Sequence, residues 1–451
     1  MKVLKIYLAM MMLIFMGCAK SFLDEKPDKG LVVPTNLEDM RALLDNNGVM
    51  NVTSYYTIMS GDELVSSSKI LEGLIFNSYT WADQIWTSSL SSDWNKPFEQ
   101  IFYANVVLDG LLKRQSSLEK ESGYQEIKGA ALFYRSIAYF WLLQQFSKPY
   151  LKSTAGNELG MPLRLTADVN KKYSRSTLEE SYKQIITDLE AAAALLPMKS
   201  SVKTHPSKLA AYALLARTML SMNDFEKADF YADKCLSINN DLLDYNGLNA
   251  DLARPFPNPL TIGNPEVIFY NRSSSSGFYQ EGTTSVIRGI YDLYQSKDLR
   301  KALFYTLNNN GNINFKGSYV GGASPFTGLT NNELYLIKAE SGIRLNKLEE
   351  GLGYLNALLK KRYAKNEFEP YPVSNQAALL QLVLAERKKE LVFRGLRWMD
   401  LRRLNAYDHA NIDIERAFNG VTYVLKANSP RFVFPIPDYE IELSGLIQNE
   451  R

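Results

Sequence analysis

The chain has 451 residues, 46% hydrophobic, 12% aromatic and 22% charged, which supplies a large core and excludes a disordered or fibrous protein. Lys and Arg number 51 against 49 Asp and Glu; without a leader carrying Lys2 and Lys5 the balance is 49 against 49, which argues against the basic footprint of a nucleic-acid binder. Two Cys (Cys18, Cys235) and two His (His205, His409), far apart, disfavour a Cys/His zinc site, a disulfide framework and a multi-His catalysis, and no Asp-x-Asp-x-Asp-Gly loop supports calcium; no cofactor and no metal are expected.

At the N-terminus Lys2 and Lys5 precede an apolar run, Ile6 to Met16, that ends in Gly17 and Cys18. A helix of that length rises only ~16 Å against a hydrocarbon core of about 30 Å, so a cleaved leader over 1–17 is expected and not a spanning helix. A small residue directly before Cys at the end of the run resembles the bacterial lipobox, which makes Cys18 the expected lipidation site and 18–30 a tether; the alternative is an ordinary signal peptide with an incidental Cys. Several acyl chains hold a protein on a membrane far more durably than one.

The segment Asn46 to Asp93 lacks periodicity but is rich in aromatics. Helical spacing then places helices over Trp94–Leu112 and Tyr124–Phe146, with Trp94 read as core. A second irregular stretch, Ser147 to Arg175, leads to Ser176-Thr-Leu-Glu179, read as a capping box opening a helix over Leu178–Leu196 that Pro197 follows. Two helix pairs come next, Ser207–Met222 with Phe225–Ile238 and Asn332–Leu345 with Leu348–Lys361, each split by a short polar turn. Ala216 to Ala228 and Ala339 to Gly351 are both twelve apart across those turns, and small residues let paired helices approach. Tyr212, Leu215, Ala216, Phe225, Ala228 and Ala232 follow the tetratricopeptide pattern, with Cys235 as a core residue. Between the pairs lie Asn239 to Thr284 and Thr306 to Thr330, and short strands are predicted at Val267–Asn271 and Phe432–Ile436. Irregular stretches this long and this aromatic are expected to be ordered and functional.

Two constellations carry possible chemistry. Ala385 to Arg403 holds Glu386, Arg387, Glu390, Arg394, Arg397, Asp400, Arg402 and Arg403. Glu386 and Glu390 sit one turn apart, but neighbouring Arg groups lower carboxylate pKa values, the reverse of what a glycosidase acid needs, so a structural ion-pair network around Gly395 is expected. The second is aromatic. Sugar rings need exposed planes flanked by polar side chains, a mixture that Tyr79, Trp81, Asp83 and Trp86 supply in one segment and Arg272, Phe278, Tyr279 and Gln280 in another. Trp81 and Trp86 are spaced to form one platform that Tyr279 completes; the alternative is that these aromatics pack beneath their own loops.

In order along the chain, Phe22-Leu23-Asp24, WNKPFEQIFYAN (94–105), GAALFYRSIAYFWLLQQF (129–146), Gly160-Met-Pro162, RSTLEESYKQIITDLEAAAALLP (175–197), LYLIKAE (334–340), AERKKELVFRGLRWMDLRR (385–403) and FPIPDYEIELSGLIQN (434–449) resemble the SusD/RagB family of Bacteroidetes outer-membrane nutrient-binding lipoproteins. The tail departs at Ser444-Gly445, where Asn-Pro is common. The resemblance implies a mainly α fold, tetratricopeptide-like helix pairs in a right-handed helical body with an irregular, loop-rich lobe. It makes 31–451 one composite domain, with helical pairs at 207–238 and 332–361 and the ligand lobe mainly at 46–93 and 239–330. It further implies a non-enzymatic lipoprotein on the outer face of the outer membrane that captures oligosaccharide, or peptide, and delivers it to a SusC-like TonB-dependent transporter. A secreted glycoside hydrolase and a tetratricopeptide-type protein scaffold are the rival readings, weakened by the absence of two well-placed carboxylates and by the long aromatic loops.

Overall fold

The computed structural model describes residues 34–66, 72–87, 92–274, 284–309 and 311–451. The leader, Cys18, the tether, Phe278, Tyr279 and Gln280 lie outside the described residues.

After a first helix α1 (Leu37–Leu44), the body is a run of antiparallel helices: α2 (Ser92–Lys113), α3 (Tyr124–Phe146), α4 (Leu178–Leu195), α5 (Lys208–Ser221), α6 (Phe225–Leu236), α7 (Asn331–Arg344) and α8 (Leu348–Lys360). Each packs on the next, and α6 packs on α7 although 94 residues of irregular chain separate them. The sequence dictates a division of labour. The middle helices α3, α5 and α7 are apolar or internally paired on nearly every side and are buried all round, whereas α4, α6 and α8 bury one stripe and leave the other in water. Two further helices, α9 (Gln376–Glu390) and α10 (Arg397–Tyr407), close the far end, joined by a turn in which Gly395 has φ +74° and Phe393 φ +56°.

The two expected helix pairs are present as α5/α6 and α7/α8, and the same device makes both turns. Asn223 and Asn346 adopt φ +59° and +62°, the left-handed conformation that Asn tolerates best among residues with a Cβ. Close approach of small residues also holds: a Cβ on Gly351 would stand 2.8 Å from the Ala339 carbonyl oxygen. Cys235 is fully buried in this core. The capping box opens α4 one residue later than the pattern suggested. Thr177 caps the helix, accepting from the Glu180 N–H (3.1 Å), while the Glu180 carboxylate accepts from the Thr177 N–H (2.8 Å). Ser176 is taken instead by Met161 O and Ser181.

The irregular stretches build a second, aromatic core from Tyr55, Tyr79, Tyr245, Phe256, Tyr294, Phe304, Tyr319, Phe326 and Phe393. Short strands frame it: β1 (Val52–Thr53) pairs in parallel with β4 (Arg272–Ser273), β2 (Leu64–Ser66) antiparallel with β5 (Thr284–Val286), β3 (Val267–Phe269) with β8 (Leu329–Thr330), and β6 (Tyr305–Leu307) with β7 (Ile313–Phe315). A separate hairpin joins β9 (Ile414–Phe418) and β10 (Val421–Leu425). The strand expected at Phe432–Ile436 does not form. A 3-10 turn occupies Pro430–Phe432, and Phe434 N–H donates to Gln145 O, a lone contact and not a ladder.

Gly351→Val should cost ~1–3 kcal/mol of unfolding free energy, because the added side chain must push the α7 backbone away. Urea unfolding followed by circular dichroism measures this.

Candidate functional site

The two irregular stretches predicted to carry ligand pair with each other through short strands. Ser66, at the end of β2, is the register partner of Thr284 at the start of β5, and Val52 is the partner of Arg272. Strands β1 and β2 thus pair with β4 and β5, more than 200 residues away, and join the two irregular stretches along the aromatic core.

Between them the turn Ser60-Gly61-Asp62-Glu63 is held from every direction. Trp81 Nε1 donates to Ser60 O (3.0 Å), and the Arg416 guanidinium donates to Gly61 O and Tyr79 O. Asp62 takes Arg397 at 2.6 Å and Lys388 at 2.9 Å. The Phe393 N–H donates to the Glu63 carboxylate (3.1 Å). Glu63 is fully buried, and desolvation together with the neighbouring Asp62 charge pushes its carboxyl up to about 8.

This clamp corrects the aromatic platform. Tyr79 and Trp81, expected as exposed ligand planes, are 0% and 2% accessible. Trp81 has φ +54°, which turns its indole inward, and Arg416 lies over both rings at 4.1 and 4.7 Å. Tyr79 is spent on the aromatic core of the irregular lobe and Trp81 on the helical core. Trp94 is likewise core.

Trp86 is placed differently. It is half-buried, with Nε1 donating to Pro435 O (2.7 Å) and its ring packed against Phe146 and Tyr56. It lines a cleft of about 230 Å³ with Asp83, Gln84, Asp438, Gln448 and Arg451. Asp83 is exposed and pairs with Arg431 at 2.8 Å, while Gln84 and Asp438 are exposed beside it. The C-terminal wall of this cleft, Asp438 to Arg451, was not among the expected site residues; it opens with a short helix, Asp438–Ser444, and mixes apolar with polar residues, so its composition does not mark it as a site. Arg272 is half-exposed on β4.

Of the charged cluster, Glu386, Arg387, Glu390, Arg397, Asp400 and Arg403 form the expected ion pairs, whereas Arg402 donates to backbone carbonyls and Arg394 stacks on Tyr319 and Phe326. Arg300, wholly buried, pairs with Asp298 (2.7 Å), Glu386 (2.7 Å) and Glu390 (3.1 Å), and Arg362 joins Glu390 to Glu266. Burial opposes ionisation of Glu390, but Arg362 and Arg300 outweigh it and hold the carboxyl down at about 2. Neither carboxylate of the pair faces open space for a sugar. Among the described residues no group of three or more His, Cys, Asp or Glu is placed to hold a metal, and no helix is long and apolar enough to cross a membrane.

The architecture is that of a tetratricopeptide-like helical protein carrying a loop-built lobe. The chain belongs to the SusD/RagB family. Residues 21–220 match the SusD-like family model described as "Starch-binding associating with outer membrane", and residues 332–450 match that of the SusD family. A SusD-like protein, P2, of Formosa agariphila is 24% identical over 483 residues, covering 90% of this chain and 91% of that protein. Among solved structures, a SusD superfamily protein from Bacteroides thetaiotaomicron superposes with a TM-score of 0.74 at 21% identity, covering 92% of this chain and 100% of its own. A SusD-like carbohydrate-binding protein from Bacteroides vulgatus gives 0.69 at 22% identity, with 91% and 97% covered.

Glu63 sets a pH dependence. An ordinary Glu carboxyl titrates near 4.5, whereas in the fold Glu63 keeps its proton to about 8, so between those values the folded state binds the extra proton. Its stabilising contribution is complete below 4.5 and is lost as pH rises through 8, with a slope approaching ~1.4 kcal/mol per pH unit. Glu63→Gln keeps an acceptor for the Phe393 N–H without the charge, and should flatten the decline in thermal stability between pH 5 and 8.

Proposed function

We propose that the protein is a cell-surface lipoprotein, acylated at Cys18, that captures oligosaccharide and hands it to a SusC-like TonB-dependent transporter. The observation that carries ligand capture is the Trp86 cleft. An indole held by its own N–H and by aromatic packing keeps its remaining surface fixed, and carboxylate, amide and guanidinium groups surround it, the combination that stacks on a sugar face and hydrogen-bonds its rim. The cleft is smaller than the ~300–1,000 Å³ of drug-sized sites, which suits one ring of a longer chain lying across the surface. The carbohydrate-binding relative from B. vulgatus and the starch-binding description of the family model support the same ligand class. Of the residues expected to touch ligand, Trp86, Asp83 and Arg272 stand as contacts. Phe278, Tyr279 and Gln280 are proposed from their place in the sequence, between β4, which pairs with β1, and β5, which pairs with β2.

Binding and stability should separate along these lines. Trp86→Ala should weaken binding of a glycan identified on an oligosaccharide array by ~2 kcal/mol, roughly thirtyfold. Trp81→Ala should instead cost ~3–5 kcal/mol of stability, as expected for a truncated core indole. Titration calorimetry and thermal unfolding of both variants decide the matter. An array that retains no glycan would remove the ligand class.

Membrane attachment rests on Cys18. Cys18→Ala should move the protein from the outer-membrane fraction to the soluble one, and affinity purification of the unaltered protein in mild detergent should recover a TonB-dependent transporter. A variant that stays membrane-bound, or a purification that yields no such transporter, counts against the corresponding half of the proposal.

A further inference from the structure

Buried arginines in this protein have identifiable partners. Arg217, Arg300, Arg362, Arg387 and Arg403 pair with carboxylates, and Arg175, Arg402 and Arg416 donate to backbone carbonyls. Arg394 breaks the pattern. It is 7% accessible, yet among the described residues no carboxylate lies within 4 Å of its guanidinium and no acceptor takes a hydrogen bond from it. Its contacts are aromatic faces: the guanidinium carbon lies 3.9 Å from the Tyr319 ring centre and 4.9 Å from that of Phe326. Stacking of this kind fixes the plane of the fork and leaves its in-plane N–H donors directed outward.

A second arginine lies on the strand next to Phe326. Arg272 is the antiparallel bridge partner of Phe326, in a pair flanked by the bonds Ser273 N–H to Pro325 O and Thr327 N–H to Asn271 O. That makes 272 and 326 a non-hydrogen-bonded pair, whose side chains share one face with Cβ atoms ~5 Å apart. Tyr270, two residues along the same strand, packs on the Phe326 ring from that face at 6.2 Å. Arg272 too has no carboxylate within 4 Å among the described residues. Two arginines without a carboxylate partner among the described residues therefore neighbour Phe326, Arg394 over its ring and Arg272 as its cross-strand partner.

We propose that Arg272 and Arg394 form an anion subsite for an acidic substituent of the captured glycan, a uronate carboxylate or a sulfate ester. Each group offers a pair of oxygens on one central atom that a guanidinium fork binds in a bidentate, charge-assisted manner. The inference rests on the glycan-capture reading and narrows it to acidic chains.

The test uses the intact mature chain and four probes: tetragalacturonate, its fully methyl-esterified form, a sulfated carrageenan tetrasaccharide and neutral maltotetraose. The subsite predicts that tetragalacturonate or the carrageenan fragment binds at least tenfold more tightly than the ester and maltotetraose, with affinity falling as salt rises. Whichever acidic probe binds tells uronate from sulfate. Arg394→Met, which keeps the packing stem, and Arg272→Gln should each reduce that affinity at least tenfold without altering the melting temperature by more than a few degrees; if Arg394→Met does not fold, Arg394→Lys and Arg272→Gln carry the test. Equal binding of acid and ester, acid binding that both variants leave intact, or binding of maltotetraose alone overturns the subsite while glycan capture stands. Absence of binding to all four probes overturns the subsite too, and the oligosaccharide array then decides separately whether any glycan is captured.

Discussion

The C-terminal end of α3 is the point on which the rest of the structure depends. The last carbonyls of any helix lack intrahelical partners, and here they lie in the middle of the core, where water cannot serve them. Distant parts of the chain supply the donors. Arg402 on α10 donates to Gln144 O and Ser147 O, the Phe434 N–H to Gln145 O (2.9 Å), and Arg175 and Asn449 to Phe146 O (3.1 and 2.9 Å). Burial draws the Arg402 and Arg175 guanidinium groups down to about 10, which still leaves both charged at neutral pH, beside the negative end of the helix dipole. A single helix terminus thereby fixes the start of α4, the middle of α10 and the chain beyond Phe432 relative to one another.

The joint between the two cores uses the same chemistry with carboxylates. Glu266 precedes β3, Arg362 follows α8, Glu390 ends α9 and Arg300 begins a short helix of the irregular lobe, and they form one continuous buried chain of ion pairs. Such a network gains little net free energy over an apolar replacement, since desolvation offsets most of the attraction. What it enforces is register: a slip of any one element strands a charge in a dry interior, at a cost of several kcal/mol. The helical body therefore does not merely adjoin the irregular lobe; it sets the lobe's position.

How far the sequence could be read follows from this division. Helices α2 to α8 were legible within two residues because their signals are local: apolar spacing, Asn turns, small residues twelve apart. The capping box slipped by one because Ser176 and Thr177 are equivalent as caps, and only the contact of Ser176 with Met161 and Ser181 distinguishes them. Phe432–Ile436 reads as a strand by composition, but its backbone partners are Gln145 O and the Gln448 side chain, neither of which belongs to a strand. The aromatics were the hardest case. Nothing local separates Trp81 from Trp86, five residues apart in one loop, because what buries the first is Arg416, more than 300 residues away.

That distance also explains why candidate ligand groups sit where they do. A binding group must be rigid before ligand arrives, or ordering it subtracts from affinity. The 60–63 turn, gripped by Trp81, Arg416, Arg397, Lys388 and Phe393, delivers β2 to its pairing with β5, and the parallel pairing of β1 with β4 holds the stem that carries Arg272. Trp86 is anchored in turn by Pro435 O and Phe146, the last residue of α3. The lobe can vary its outward residues without disturbing the scaffold, because the residues that hold it in place face inward.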